Sequence, residues 1–226
     1  MCGRFVLLAD LSMIMEEFDI QEVDRPLLTG GDIHPGRQVS AIVHRNGNRL
    51  AAFHWGLVPS WAKDPAIGRK MINARAETVT AKPGFKNAFA KRRCLIIADG
   101  FYEWQKTGTT GNKPWLFRLK NGKPFGFAGL YETWASPGKQ EIASCTIITT
   151  IPNELVAPIH NRMPVIVPKE REAAWLDPGN HDRTGLLSLL APYPSAAMER
   201  LPATGRNPAP GFMNPPADPA VPAATG

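Results

Sequence analysis

Cys2 stands out because its place in the chain allows chemistry that an internal cysteine cannot perform. Once Met1 is removed, this residue carries an α-amine and a thiol on adjacent carbons. Their reference pKa values are about 8 and about 8.5, so both groups are expected to be partly nucleophilic near neutral pH. With an aldehyde, the amine forms a Schiff base and the thiolate then adds to it, giving a five-membered thiazolidine. The alternative is a cysteine without catalytic function, which is the more frequent case at a chain terminus.

Two internal segments place acid–base groups next to apolar residues. In ADGFYEW (98–104), Glu103 lies between two aromatic residues. Desolvation there is expected to raise the pKa of the carboxyl group towards general acid–base duty. In IHNRMPVIV (159–167), His160 comes shortly before an apolar run that is typical of a strand. Both residues are candidates for proton transfer, although a lone histidine is more often structural than catalytic.

Two further segments carry side chains suited to binding a ligand. WGLVPSW (55–61) holds two tryptophans around a proline turn. Core packing is expected for Trp55, whereas for Trp61 stacking on bases and packing in the core are equally expected. The segment INARAET (72–78) has an alternating character without a turn signal, and its polar residues are Asn73, Arg75 and Glu77.

Charge and cysteine content restrict the classes of function. The 226 residues include 26 Lys and Arg against 20 Asp and Glu, a net charge of +6, which favours a polyanionic partner without establishing one. The three cysteines (Cys2, Cys94 and Cys145) form no CxxC or CxxH motif. We therefore expect no disulfide framework, no metal site and no cofactor. No membrane-spanning run and no secretory signal is visible, which predicts a cytoplasmic protein.

Hydrophobic periodicity indicates both helices and strands. The spacing over 11–19 predicts an amphipathic helix capped by Asp10. The apolar runs that flank 46–48 predict a hairpin, whereas 23–37 is expected to be irregular and 55–73 to be a structured loop. Further strands are expected at 93–101, 114–120, 125–134 and 143–151, and further helices at 85–91, 168–176 and 184–191.

The order of these elements predicts an α+β domain of mostly antiparallel strands with helices outside. Beyond about Leu201 the composition changes to Pro, Ala and Gly with few large apolar residues. Such a segment buries too little surface to offset the entropy lost on ordering. The sequence thus predicts one domain over 1–200 and a flexible tail over 201–226.

Five motifs, MCGRF, WGLVPSW, NARAET, DGFYEW and HNRMPVIV, occur in this order between Met1 and about Val167. Their spacing closely resembles that of the SRAP (SOS-response-associated peptidase) family, which includes abasic-site processing proteins. The resemblance implies a single α+β domain with a barrel-like β core and peripheral helices. It also implies that the chain senses abasic sites in single-stranded DNA and forms a thiazolidine cross-link through Cys2. Associated AP-lyase and Met1-removing autopeptidase activities are implied as well.

The resemblance assigns roles to individual residues. It implies that Cys2 is the nucleophile, that Asn73 holds its amine and the sugar, and that Glu103 and His160 transfer protons. The residues implied to contact DNA are Arg4, Trp61, Arg75 and Arg162, and guanidinium groups suit phosphates because of their fork geometry. The expected partner is single-stranded DNA with abasic sites, bound by a monomer near the nucleoid. The segment GDIHP (31–35) departs from the family pattern, which has an aromatic residue and an asparagine there.

Two other functions fit some of the same residues. Cys2 with His160 would suit an N-terminal cysteine hydrolase or peptidase. Alternatively, the chain would be a non-covalent single-strand-binding module in which Cys2 is inert. A peptidase has no need of several arginines beside its nucleophile, so the arginine-containing motifs favour a DNA substrate.

Overall fold

Strands make up most of the secondary structure, because the sequence has many runs of β-branched and aromatic residues. A computed structural model describes residues 2–108, 111–136, 138 and 141–203. These residues form thirteen strands: β1 (Phe5–Leu7), β2 (Ile20–Val23), β3 (Gly30–Ile33), β4 (Gln38–His44), β5 (Asn48–Trp55), β6 (Asn73–Arg75), β7 (Arg93–Ala98), β8 (Gly100–Lys106), β9 (Asn112–Leu119), β10 (Phe125–Ala135), β11 (Glu141–Thr150), β12 (Met163–Pro164) and β13 (Met198–Pro202). They also form four short α-helices: α1 (Leu11–Glu17), α2 (Lys86–Lys91), α3 (Glu172–Leu176) and α4 (Arg183–Ser188). Within the described ranges, no helix has the length and apolar character needed to cross a bilayer.

Five strands close into a barrel at the centre of the fold. Strands β11, β10, β7, β4 and β5 are neighbours in that order, and a parallel contact between β5 and β11 closes the ring. In the described structure this closing contact has two residue pairs, Ser144 with His54 and Cys145 with Trp55. The other four contacts around the ring are antiparallel. The predicted barrel-like, mostly antiparallel core is therefore confirmed.

A pair of glycines attaches the loop that follows β5 to the barrel. Gly56 has φ of +140°, and a Cβ atom there would lie 2.8 Å from the Gly68 carbonyl oxygen. A Cβ atom on Gly68 would in turn lie 2.6 Å from the Gly56 carbonyl oxygen. Farther along the loop, the indole Nε1–H of Trp134 donates to the Ala62 carbonyl oxygen at 2.7 Å. The loop is thus fixed to the barrel at its base and near its middle.

A second sheet, in the order β13-β9-β8-β1-β3, lies beside the barrel. The single strand expected at 93–101 is two strands, because the chain passes from the barrel (β7) to the second sheet (β8) at Asp99. The Asp99 carboxylate accepts hydrogen bonds from the backbone N–H groups of Leu8 and Ala9. This residue therefore joins the end of β1 to the point where the chain changes sheets.

The structure also corrects and confirms other expectations. The stretch 23–37 was expected to be irregular but contains β3, which pairs with β1. The helix capped by Asp10 and the hairpin of β4 and β5 are confirmed. Strand β13 runs through Leu201 and pairs with β9, so the regular structure crosses the predicted tail boundary. Residues 204–226 of that predicted tail lie outside the described residues.

A buried guanidinium group holds the helices against the barrel. Arg93, at the start of β7, donates to five backbone carbonyl oxygens, those of Phe89, Ala90, Trp175, Asp177 and Asn180. Burial lowers the pKa of this guanidinium, although an arginine remains charged at physiological pH. The side chain fixes the end of α2 and the loop after α3 to the same strand.

We expect Arg93→Met to lower the free energy of unfolding by about 3–5 kcal/mol, because several buried carbonyl groups lose their donor. Urea denaturation followed by circular dichroism measures this difference. Lys120→Met removes an exposed charge just after β9 and serves as the control, with an expected change of less than about 0.5 kcal/mol. Equal stability of the two variants would contradict the structural role of Arg93.

Candidate active site

Cys2 lies at the junction of the two sheets, and its backbone is fixed there. The amide Nδ2–H of Asn73 donates to the Cys2 carbonyl oxygen at 2.9 Å. Two residues farther along, the Tyr102 N–H donates to the Arg4 carbonyl oxygen at 3.0 Å. Chain termini are poorly ordered unless they are tied down, and these two bonds hold Cys2 in a fully buried position.

Glu103 provides a titratable group beside the thiol. It is on β8, 3% exposed, and burial raises the pKa of its carboxyl group to about 7. Burial, followed by the negative charge of Glu103, raises the pKa of the Cys2 thiol far above its ordinary value. The thiol is therefore protonated near neutral pH, contrary to the expectation of a partly ionised thiol. The reference value assumed an exposed side chain, and this one is buried.

Asn73 is positioned by β6, which pairs with β11 in parallel. Side chains alternate along a strand, so Asn73 and Arg75 share one face while Ala74 is buried on the other. Among the described residues, the buried Oδ1 atom of Asn73 has no hydrogen-bond partner. Because buried polar atoms are nearly always paired, this oxygen is suited to accept a hydrogen bond from a ligand or from a free amine.

His160 lies in the turn before β12 and has a defined orientation. The Arg162 backbone N–H lies 3.1 Å and the Arg162 carbonyl oxygen 3.2 Å from its Nδ1 atom, so this nitrogen accepts from the first or donates to the second according to the tautomer of the ring. Burial and the positive charge of the amino terminus lower the pKa of the imidazole. The same terminal charge acts to lower the pKa of Glu103 against the larger effect of burial. The charge of the amino terminus thus acts on both candidate proton-transfer groups.

The arginines predicted to contact DNA differ in how open they are. Arg162 forms a two-bond ion pair with the Glu77 carboxylate, at 2.6 and 3.0 Å, and donates to the Thr149 carbonyl oxygen at 2.6 Å. Its side chain is mostly buried, so it is not presented to a ligand in the way that the sequence predicts. Arg75 is exposed. The structure therefore favours Arg75 for phosphate contacts and favours Arg162 for holding the turn of His160.

Arg4 and the two tryptophans complete the set of predicted residues. The Arg4 guanidinium stacks over the Trp104 ring and lies 3.4 Å from the Asp32 carboxylate. Trp55 is 1% exposed and packs in the core as predicted, whereas Trp61 is 58% exposed. A shallow cleft beside Trp61 is lined by Lys63 and Lys70 and also by Asp64. An exposed indole is suited to stacking on a base.

Sequence reasoning did not find some residues that shape this site. Asp32, from the divergent segment 31–35, is the ion-pair partner of Arg4, and the Tyr102 hydroxyl donates to the Gly31 carbonyl oxygen at 2.9 Å. The first contact joins residues about 30 positions apart and the second about 70. No local sequence pattern indicates either of them. Within the described part of the chain, no cluster of His, Cys, Asp and Glu is arranged to hold a metal ion.

Comparison with known proteins gives the family. The profile of the SOS response associated peptidase (SRAP) family matches residues 1–206. The chain belongs to the SRAP family. It is 46% identical over 206 residues to the abasic site processing protein YoqW of Bacillus subtilis, covering 88% of this chain and 90% of that one. It is 33% identical over 165 residues to the abasic site processing protein HMCES of Xenopus tropicalis, and spans about half of its length, covering 63% of this chain and 49% of HMCES.

Solved structures support the same fold. A crystal structure of a protein from Bacteroides thetaiotaomicron superposes with a TM-score of 0.84 at 25% identity, covering 94% of this chain and 99% of that one. A second, from Bordetella bronchiseptica, gives a TM-score of 0.78 at 24% identity over 90% of this chain and all of the other. The SRAP fold predicted from the motifs is thus confirmed.

The raised pKa of Glu103 predicts a specific dependence of stability on pH. A buried carboxyl with a raised pKa stabilises the fold fully below its unfolded pKa of about 4.3, and this contribution is lost as the pH rises through about 7. Glu103→Gln stays neutral throughout. We therefore expect its stability relative to the unchanged protein to increase by about 2 kcal/mol between pH 5 and pH 8.

Urea denaturation at a series of pH values tests this expectation. Glu16→Gln, an exposed substitution on α1, is the control for the loss of one carboxylate. A stability difference for Glu103→Gln that stays constant across the range would show that Glu103 does not titrate near neutral pH.

Proposed function

We propose that this protein captures abasic sites in single-stranded DNA as a covalent thiazolidine formed by Cys2. The observation that carries the proposal is the position of Cys2, held by Asn73 and next to a carboxyl group whose pKa is about 7. SRAP relatives that are called abasic site processing proteins support the choice of substrate. An abasic deoxyribose opens to an aldehyde, and a single strand exposes it without unpairing.

The reaction balances with groups that are present once Met1 is removed. The Cys2 amine adds to the aldehyde carbon, and the resulting carbinolamine loses its hydroxyl as water to give a Schiff base. The thiol sulfur then adds to the same carbon, and the thiol proton leaves to a base while the imine nitrogen becomes a secondary amine. The net reaction joins the protein to the sugar and releases one water molecule. No oxidant or reductant is required.

Glu103 is suited to both proton transfers in this sequence. As a carboxylic acid it protonates the departing hydroxyl, and as the resulting carboxylate it accepts the proton of the buried thiol. A pKa of about 7 allows both forms near neutral pH. The Asn73 oxygen Oδ1 is available to accept a hydrogen bond from the Cys2 amine. The imidazole of His160 is suited to exchange a proton with a sugar oxygen.

The proposal extends to how DNA is held and to associated reactions. We assign strand contacts to Arg75, Arg4 and Trp61, in a monomeric cytoplasmic protein. Arg162 acts indirectly, because its side chain is paired with Glu77.

If the thiol fails to add, the Schiff base permits β-elimination at the 3′ side, which is the basis of an AP-lyase activity. Removal of Met1 by the protein itself would make Cys2 the nucleophile in that step as well.

The covalent product can be detected directly. We expect the mature protein to lack Met1, and incubation with a single-stranded abasic oligonucleotide to give an adduct that survives boiling in detergent. Its intact mass should equal protein plus oligonucleotide minus one water. Cys2→Ser should lose this adduct and form at most a Schiff base that borohydride traps. Cys94→Ser, at a buried cysteine on β7, is the matched control and should react like the unchanged protein.

The alternative functions give different outcomes in the same experiment. Binding of the abasic oligonucleotide without any adduct would indicate the non-covalent binding module. Absence of both binding and adduct, together with cleavage of peptide substrates that depends on Cys2, would indicate the N-terminal peptidase. An adduct that forms while Met1 is still attached would exclude the thiazolidine.

The proton-transfer roles predict a pH profile. In single-turnover cross-linking, the rate should follow a bell, because the amine must be deprotonated while an acid remains protonated. We expect Glu103→Gln to slow the maximum by about 100-fold and to flatten the limb that reports the carboxyl group, with DNA affinity unchanged. Glu16→Gln is again the control. A variant that matches the unchanged protein at every pH would remove Glu103 from the mechanism.

A further inference from the structure

A basic cleft lies outside the site described so far. Its volume is about 310 Å³, and it lies between the segment before α2, α2 itself and the loop that leads into α4. Phe89 and Leu186, both buried, form its apolar floor. The polar residues that line it are Thr80, Lys86, Asn180, His181 and Arg183. The lining thus combines two permanent cations with a histidine and contains no carboxylate.

The cations of this cleft are not neutralised by the protein. In the part of the chain that the structure describes, no ion pair includes Lys86 or Arg183. Arg183 donates from Nη2 to the Thr80 hydroxyl at 2.7 Å, and this bond uses one of its five N–H donors. The neighbouring Asp182 carboxylate accepts from the Gly185 N–H at the start of α4. The fork of Arg183 is therefore oriented and retains donors for an anion.

The loop that carries His181 and Arg183 is held rigidly. The Asn180 side chain donates to the Ala174 carbonyl oxygen at 2.9 Å and accepts from the Asp182 N–H at 3.0 Å. Its backbone carbonyl accepts from Arg93 at 3.2 Å. A cleft whose walls are already ordered binds its ligand with a smaller loss of conformational entropy.

The cleft is within a few nucleotides of Arg75, the arginine that is favoured for phosphate contacts. Two consecutive turns, closed by the bonds Thr78 N–H to Arg75 O and Ala81 N–H to Thr78 O, connect Arg75 to Thr80. Each turn spans less than about 7 Å, so Thr80 lies within about 14 Å of Arg75. At about 3.4 Å per stacked nucleotide, this upper limit corresponds to at most about four nucleotides.

We propose that the cleft of Lys86, His181 and Arg183 binds a backbone phosphate of the same DNA strand, up to about four nucleotides beyond the strand contact at Arg75. The inference rests on the proposed function for the identity of the strand. Charge complementarity supports it, because the cleft presents cations without acids to a polyanion. Its continuity with Arg75 along the turns supports a single strand that passes from the active site to this cleft.

The test measures binding of oligonucleotides that carry a tetrahydrofuran abasic analogue, which has no aldehyde and cannot cross-link. Each oligonucleotide is trimmed from one end, in separate 5′ and 3′ series. The test variant is Lys86→Met with Arg183→Met. The control, Lys91→Met with Lys120→Met, removes the same charge from exposed residues outside the cleft, and Lys91 is on the same helix as Lys86.

With long arms, we expect the test variant to bind more weakly than the control. Its log–log salt slope should be smaller by about 0.7, because one phosphate contact on a single strand contributes about 0.7. This difference should disappear in one of the two series once that arm is too short to reach the cleft, and should persist in the other series. Equal binding by both variants, or a defect that does not depend on arm length, would overturn the proposal.

A separate measurement distinguishes failure of this inference from failure of the proposed function. With an authentic abasic oligonucleotide of two-nucleotide arms at saturating concentration, the test variant should cross-link at the rate of the unchanged protein. If no protein cross-links, the covalent function fails, while the arm-length dependence still decides whether a strand occupies the cleft. If only the test variant fails to cross-link these short oligonucleotides, Lys86 and Arg183 act at the site itself and the proposed remote contact is wrong.

Discussion

A hydrogen bond from the Asn73 side chain to the Cys2 carbonyl oxygen fixes the end of the chain on which the site depends. A chain end ordinarily frays, since it has neighbours on one side only. Here β1, a strand of three residues, lies between β8 and β3. Asp99 holds the residues that follow β1. The junction between barrel and second sheet thus orders a segment that is too short to order itself.

Burial at this junction changes the acid–base behaviour of the residues it brings together. The Cys2 thiol is held protonated and the Glu103 carboxyl has a pKa of about 7. Neither group would have these properties on a surface. The folded protein keeps an ionisable carboxyl where its charged form is unfavourable, and such an arrangement is typical of groups that transfer protons. The loss of stability near neutral pH and the capacity for chemistry have the same cause.

Local patterns in the sequence identified the elements whose stabilising contacts are local. The hairpin of β4 and β5 follows from a turn at Asn46 and Gly47, both with positive φ. The raised pKa of Glu103 comes from burial, whereas its neighbours Tyr102 and Trp104 pack with each other. Strands β1 and β6 have three residues each, too few to show a period. The ion pair of Arg162 with Glu77 joins positions 85 residues apart, so the sequence could not indicate that this arginine is occupied.

The glycine pair at positions 56 and 68 has a consequence for recognition. Because neither residue has a side chain, the loop that carries Trp61 lies directly on the barrel, and Trp134 secures it at Ala62. If the loop were mobile, stacking of an aromatic base on the exposed tryptophan would reduce the conformational entropy of the loop, and this loss would weaken binding. On this loop most of the ordering is complete before any ligand arrives. The exposed indole is therefore a pre-organised surface, and backbone contacts remote from Trp61 would strengthen the stacking proposed for it.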